Sequence, residues 1–284
     1  MIENIERQPL PKPLGRKAYG SIPHLPGSRK GPGDHDIGEG PSRIATEKAR
    51  DKWDLVIVQE KVDGSCCAVA KKDGRLVPLG RSGHLAVSSP YLQHRYFDWW
   101  VWENQDRFDR LLREGERAIG EWLAQAHGTR YDLPHEPFVL FDIMRGDDRV
   151  CYHELLTRVS RFDFVTPNTV HIGAPLSVKN AMELVDEGKS GAQDPVEGVV
   201  YRVEYRRGIK HQREVNFLAK WVRPDKIDGL YLPELRDEEH LPKDMVEALK
   251  TLYDDRPVWN WRPPSNEEDR DRDCVKVFDW NRGV

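Results

Sequence analysis

The sequence has no apolar run approaching the ~18 residues of a membrane-spanning helix, so no membrane partner is expected. It is also poor in cysteine. Four cysteines in 284 residues, with no C-x-x-C pair, argue against a disulfide framework and against a zinc ribbon. The opening stretch MIENIERQPLPKPLG has no apolar segment of the kind a secretory signal carries, and a cytoplasmic protein is expected. No internal repeat is visible, and 44 basic against 48 acidic residues leave a net charge of only -4. What the chain does have is 38% hydrophobic residues and nine tryptophans, enough bulk for a core. Its length suits one large domain or one domain with an appendage.

The small net charge hides an asymmetry. Residues 229–284 hold nine Lys/Arg and 14 Asp/Glu, a balance of -5; residues 1–228 hold the remaining 35 and 34, a balance of +1. Two parts follow: a body over 1–228, including a Pro/Gly-rich N-terminal arm, and an acidic C-terminal extension over 229–284. The Pro/Gly density of the first 50 residues suits an ordered arm or irregular loop rather than helix or strand. LVIVQE (55–60) reads as a buried strand, and the Asp73–Gly74 pair between apolar runs reads as a hairpin turn. Ser89 followed by Pro90 signals a helix start; the helical stretch runs to about Glu114 and carries the core-like cluster WWVW. Strands are expected at 118–124 and 137–144, and helices at 153–159 and 177–185. A second hairpin is expected from 196–205 and 214–222, and one more helix within 242–253. The pattern is α+β, mostly antiparallel.

Lys61-Val62-Asp63-Gly64 follows the first strand, where the chain is expected to turn back. On its own the tetrapeptide fits an exposed turn lysine as well as a reactive one. A lysine that attacks phosphorus must first lose its proton. From a reference pKa near 10.4, only ~0.04% is neutral at pH 7, so the pKa must fall by about 2–3, worth about 3–4 kcal/mol. Asp63 works against that fall. Burial, a divalent metal and a second cation, best supplied by Lys220, would have to outweigh it.

Further short motifs follow in one order: RSG (81–83), GEW (120–122), FVLFD (138–142), EGVVYR (197–202) and LAKWVRP (218–224). With KVDG, this series resembles the covalent nucleotidyltransferase superfamily of ATP-dependent RNA and DNA ligases and mRNA-capping enzymes. Within it the chain is most similar to the RNA ligase family typified by phage RNA ligase of the second type and the editing ligases, and its YGSIPHLPGSR opening resembles bacterial and phage members. The resemblance covers roughly residues 16–228. It implies a mostly antiparallel ligase adenylation domain with a small, partly helical extension. The 56 residues after 228 are too few for the OB domain that DNA ligases and capping enzymes usually add.

The resemblance also implies roles. Lys61 would attack the α-phosphorus of ATP and carry AMP as a covalent adduct. AMP would pass to an RNA 5′-phosphate, and a 3′-hydroxyl would seal the strand. Glu60 would lie near the adenine, Phe141 would stack on it, and Glu121 would hold the ribose. Arg81 would contact ribose or the reacting phosphate, and Lys220 the α-phosphate. Glu197 and Asp63 would help hold Mg²⁺ or Mn²⁺. Each has a plainer reading: Glu121 and Glu197 as solvent-facing strand residues, Phe141 as core, Arg81 and Lys220 as surface charges. Two departures stand out. Cys66 occupies a place where phage ligases commonly carry Asn, and Leu218 replaces the first of two lysines, a lost charge that Arg223 or Arg202 could restore.

Arg206, Arg207, Lys210 and Arg213, around the tip of the second hairpin, form the best local basic patch for a polynucleotide backbone, though a solvated hairpin tip is the simpler reading. Arg29, Lys30, Lys71, Lys72 and Arg75 are weaker candidates. His24 and the Asp34-His35-Asp36 run suggest a loop contact to solvent or phosphate rather than a metal site. RNA with 5′-phosphate and 3′-hydroxyl ends is the expected partner, together with an end-processing repair partner; oligomeric state is not legible. The alternatives are a DNA ligase or capping guanylyltransferase, and a nucleotide- or RNA-binding module deficient in sealing. The extension would serve as a helical cap, a substrate-positioning module or a partner contact.

Overall fold

Among the residues that the computed structural model describes (12–185, 188–207, 212–237 and 239–263), nine strands form two antiparallel sheets. In chain order they are β1 (Leu55–Lys61), β2 (Ser65–Lys72), β3 (Arg75–Gly80), β4 (Glu116–Trp122), β5 (Phe138–Arg145), β6 (Asp148–Arg149), β7 (Thr169–Gly173), β8 (Gly198–Arg207) and β9 (Gln212–Val222). The first sheet has the order β7-β1-β8-β9 and the second β3-β2-β4-β5-β6. The α+β antiparallel architecture expected from the sequence is therefore present.

Both expected hairpins form. Asp73 and Gly74 have φ of 52° and 70°, the left-handed pair that a tight two-residue turn between β2 and β3 demands. β8 pairs with β9 along its whole length. The turn after Lys61 is different from expectation. β1 is flanked by β7 on one edge and β8 on the other, so it has no edge left for β2. KVDG therefore carries the chain from one sheet to the other instead of folding it back. Gly64 fits this crossover because a Cβ there would lie 2.5 Å from the Trp122 carbonyl oxygen.

The helices are α1 (Glu39–Thr46), α2 (Leu92–Glu103), α3 (Gln105–Leu111), α4 (Tyr152–Ser160), α5 (Val178–Val185) and α6 (Lys243–Tyr253). α1 falls in the stretch expected to be irregular. Its Pro41 is in the first turn, where a missing N–H costs nothing, so the proline does not prevent the helix. α2 begins at Leu92, two residues past the expected proline, and its N-cap position is Tyr91. Of the WWVW cluster, Trp100 and Val101 are core, Trp99 packs at its margin and Trp102 is 38% exposed. Around Trp100, the rings of Phe108, Trp122 and Phe138 stand 5.7–5.9 Å away in tilted or edge-on arrangements.

The arm from residue 12 is ordered against both sheets. Ala18 and Tyr19 donate backbone hydrogen bonds to Arg81 O, while Leu25 N bonds Lys220 O and Lys220 N bonds Pro23 O. Residues 229–263 also pack onto the body. Ala126 N donates to Val258 O, and Leu241, Val246 and Leu249 bury against Ala126 and Tyr231. Residues 264–284 of the acidic extension lie outside the described residues. Among the described residues, no helix is long and apolar enough to cross a membrane.

Candidate active site

Lys61 is the last residue of β1, so the strand's rigid ladder fixes its backbone while its side chain projects beyond the sheet. One cavity is lined by Glu60, Lys61, Arg81, Glu121, Phe141 and Lys220 together with Tyr19 and Ile22 of the arm. These six sequence-selected residues come from strands of both sheets and from the RSG loop. The seventh, Glu197, precedes β8 and touches Lys61: Lys61 Nζ donates to Glu197 Oε2 at 2.6 Å. A larger cleft of about 770 Å³ opens alongside and shares Lys61, Arg81 and Glu121 with the first. Its wall includes Ser65 and Ser89, whose hydroxyls lie 2.6 Å from the two ring nitrogens of His94.

The electrostatics of Lys61 run opposite to the expected fall in pKa. Burial pushes its pKa down, but Glu197, Glu121 and Asp63 together outweigh burial and hold the ammonium above its ordinary range. Glu197 is itself lifted by burial, with Lys61 pulling it back. Glu121 is pushed up to about 7, by burial first and by Glu197 and Asp63 besides, against the pull of Lys61. Its Oε1 accepts a hydrogen bond from Gly64 N at 3.2 Å, so this carboxyl also secures the lysine turn. Lys220 is lowered by burial and by Lys61, while Asp34 and Glu197 resist.

Asp63 spends its hydrogen bonds on groups other than Lys61. Its Oδ2 accepts from Lys226 Nζ at 2.6 Å and from Gly128 N at 2.8 Å, while its own N–H donates to the Tyr131 hydroxyl at 2.9 Å. Burial would raise its pKa, but Lys226, His127 and Lys61 bring it below the usual carboxylate range. Lys226 and Tyr131, which hold Asp63, are residues that sequence reasoning did not single out. Lys226 is 163 positions from Asp63, and only the fold joins them. Among the described residues, no three His, Cys, Asp or Glu side chains converge as a metal cage. A magnesium-like ion usually takes one or two carboxylates and completes its shell with phosphates and water, so a full protein cage is not required.

Glu60 is buried, and its carboxyl turns toward residues 188–190, where Oε2 accepts Lys189 N at 3.0 Å. Phe141 stands edge-on to Tyr19 at 5.4 Å. Behind Phe141, Asp142 joins the sheets. Arg202 of β8 donates to Asp142 Oδ1 at 2.8 Å, and Arg149 donates to Oδ2 at 2.7 Å. Arg202 lines the cavity beside Leu218 while bonded to Asp142, and Arg223 pairs with Asp225 at 2.7 Å. Cys66 lines both cavities, and burial pushes its thiol well above the ordinary range.

The basic patch does not gather at this site. Arg206 lies roughly 25 Å along β8 from Gly198, with its guanidinium 4.3 Å from the Trp53 ring centroid. Arg213 donates to the Trp53 carbonyl at 3.1 Å. Lys210 and the Arg207 side chain lie outside the described residues. Lys71 and Lys72 bond Asp109 and the Pro13 carbonyl, and Lys30 pairs with Asp36.

A family model described as RNA ligase matches residues 54–222. No curated protein matches the chain. Among solved structures, it is similar to a lysine-to-alanine mutant of Naegleria gruberi RNA ligase with ATP and manganese, at 16% identity and a TM-score of 0.47, over 70% of this chain and 59% of that one. The same ligase with pyrophosphate gives 16%, a TM-score of 0.44, and 76% and 61% coverage. A protein of Aquifex aeolicus proposed to be an ATP-dependent DNA ligase gives 14%, a TM-score of 0.43, and 82% and 58% coverage. The chain spans less than two thirds of the length of each of these proteins.

Proposed function

The chain belongs to the RNA ligase family, and from that premise we propose that it is an ATP-dependent RNA ligase whose nucleophile is Lys61. The observation that carries this reading is the convergence of Glu60, Lys61, Arg81, Glu121, Phe141 and Lys220 on one cavity, with Glu197 bonded to the lysine. Residues from five separate motifs would have no reason to meet there as ordinary surface or core groups.

The Phe141 ring offers a flat apolar face for a base. Glu60 contributes to the cavity wall, with its carboxyl committed to the 188–190 loop. For attack, Glu197 must release the Lys61 ammonium, which then gives a proton to water in the adjoining cleft. The Nζ–P bond then forms as the α-phosphorus loses pyrophosphate. Lys220, in the same cavity, opposes the positive charge of Lys61 and meets the negative charge growing on the α-phosphate. A divalent ion held with Glu197 would neutralise part of the triphosphate charge; Asp63 has one oxygen already committed to Lys226 and Gly128. In the second step an oxygen of the RNA 5′-phosphate attacks the adenylyl phosphorus and Lys61 leaves. In the third a 3′-hydroxyl attacks the activated 5′-phosphorus and AMP departs. The cleft beside the cavity would receive the strand end.

The test is incubation with ATP labelled at the α-phosphate and Mg²⁺ or Mn²⁺. Wild type takes up protein label that is released by hot acid and survives alkali, Lys61→Ala does not, and the labelled chain joins a nicked RNA duplex. A wild type that stays unlabelled defeats the reading. Label from GTP instead, or joining of DNA nicks alone, selects the capping or DNA ligase alternative. Labelling without joining selects a nucleotide-binding module deficient in sealing.

A further inference from the structure

Two groups of the N-terminal arm have no role in the chemistry above: the buried His24 and the acidic Asp34. The arm runs along the free edge of β9 and grips one residue from both sides, since Pro23 O accepts Lys220 N at 2.9 Å and Lys220 O accepts Leu25 N at 2.8 Å. From the same arm Asp34 reaches over the side chain. Its Oδ1 lies 3.6 Å from Lys220 Nζ. Its Oδ2 accepts Gly31 N at 3.0 Å and lies 3.0 Å from His24 Nε2, at a hydrogen-bond distance but off its line. His24 is anchored in turn through Nδ1, 2.6 Å from Ser28 Oγ, and that hydroxyl accepts Val222 N of β9. Asp34 is thus tied at one oxygen to the arm's own turn and presents the other to Lys220.

We infer that Asp34 is a positioning residue for Lys220, holding its ammonium in place and in charge for the phosphate; this rests on the ligase reading of Lys220. The ionisable groups facing Lys220 are Lys61 from β1, Glu197 before β8, Arg81 beyond β3, and Asp34 and His24 from the arm. Lys61 and Arg81 repel it and burial strips its water, while Asp34 is the acidic group within ion-pair range of its nitrogen. At 3.6 Å the contact is an ion pair without a hydrogen bond. The ammonium hydrogens stay available to an incoming oxyanion. A short, fully formed salt bridge would compete with substrate, whereas this looser one steadies the charge and leaves the donors free.

Asp34→Asn is the informative change, because the amide keeps an oxygen for Gly31 N and loses only the charge. Labelling with ATP is followed under single-turnover conditions for wild type, Asp34→Asn, Asp34→Glu, Lys220→Ala and the double variant, with melting temperature recorded for each. The expected result is a fall of about tenfold in the rate constant for adduct formation in Asp34→Asn, with the ATP concentration for half-saturation unchanged or lower. Asp34→Glu recovers part of the rate. In the Lys220→Ala background the Asp34→Asn change has no further effect, the signature of a residue acting through Lys220. A wild-type rate in Asp34→Asn, an additive double variant, or loss of rate together with a large drop in melting temperature overturns the assignment while leaving the ligase reading intact. A wild type that takes no label overturns both.

Discussion

Lys226→Met tests how the lysine turn is held. The Lys226 side chain is 1% exposed and places its ammonium 2.6 Å from both Asp63 Oδ2 and Thr129 Oγ1. Methionine fills similar space without the charge, leaving Asp63, 15% exposed, with Gly128 N as the remaining donor to that oxygen. Removing one partner of a buried ion pair costs about 3–5 kcal/mol, since the other charge stays buried. For a chain of this size that is a fall of roughly 10 °C in melting temperature. The pH dependence has a definite sign. Asp63 is depressed in the wild type, so its contribution is present above the ordinary carboxylate range and is lost as pH falls through its folded pKa. Without Lys226, burial raises that pKa, and the deficit of the variant narrows as both proteins become protonated in acid. Urea unfolding at pH 7 and at pH 4 measures both features. A deficit under about 1 kcal/mol at pH 7, or one that does not shrink in acid, refutes the reasoning. Adding Asp63→Asn to Lys226→Met should recover part of the loss, because no unpaired charge then remains.

Three further predictions follow from the site. Glu121→Gln should gain stability over wild type as pH rises from 5 to 8, by on the order of 3 kcal/mol. The native carboxyl keeps its proton up to about 7 while the unfolded one releases it lower, and calorimetric or urea unfolding across that range reads the difference. Phe141→Ala should weaken ATP binding about threefold to tenfold by titration calorimetry, the worth of one aromatic stack, with a small change in melting temperature because the ring is only half-buried. Gly64→Ala should lower stability by about 1–3 kcal/mol and slow adduct formation, because the new methyl meets the Trp122 carbonyl and shifts the lysine turn; unfolding and labelling report the two effects separately.

The strands that carry the motifs were legible because each is a local apolar run ended by turn residues. The site residues sit at or near strand ends, so a correct strand map brings them close. Strand β7 escaped notice because it is five residues long and only partly buried, which erases the hydrophobic signal. The crossover at KVDG reads like a hairpin turn because a short turn looks the same whether its strands pair or part; only the occupancy of both β1 edges decides. Lys226 and Tyr131 act through contacts 163 and 68 positions away, beyond any local pattern. The arginines of the second hairpin looked free as a charge run, yet Arg206 and Arg213 rest on Trp53, a packing choice that spacing alone does not encode.

The packing of residues 258–261 has a consequence for dynamics. Asn260 Nδ2 donates to Leu123 O at 2.7 Å, Tyr131 N donates to Asn260 Oδ1 at 2.9 Å, and Tyr131 in turn holds the amide of Asp63. The lysine turn is therefore two hydrogen bonds removed from a segment almost 200 residues later. Such a chain of contacts makes one cooperative opening unit, a foldon, out of sequence-distant parts. Amide hydrogen exchange at Asp63 should then follow the opening of residues 123–131 and 258–261 and not that of β1, the strand to which the turn is covalently joined. Events that loosen that late segment would reach Lys61 without touching the other walls of its cavity.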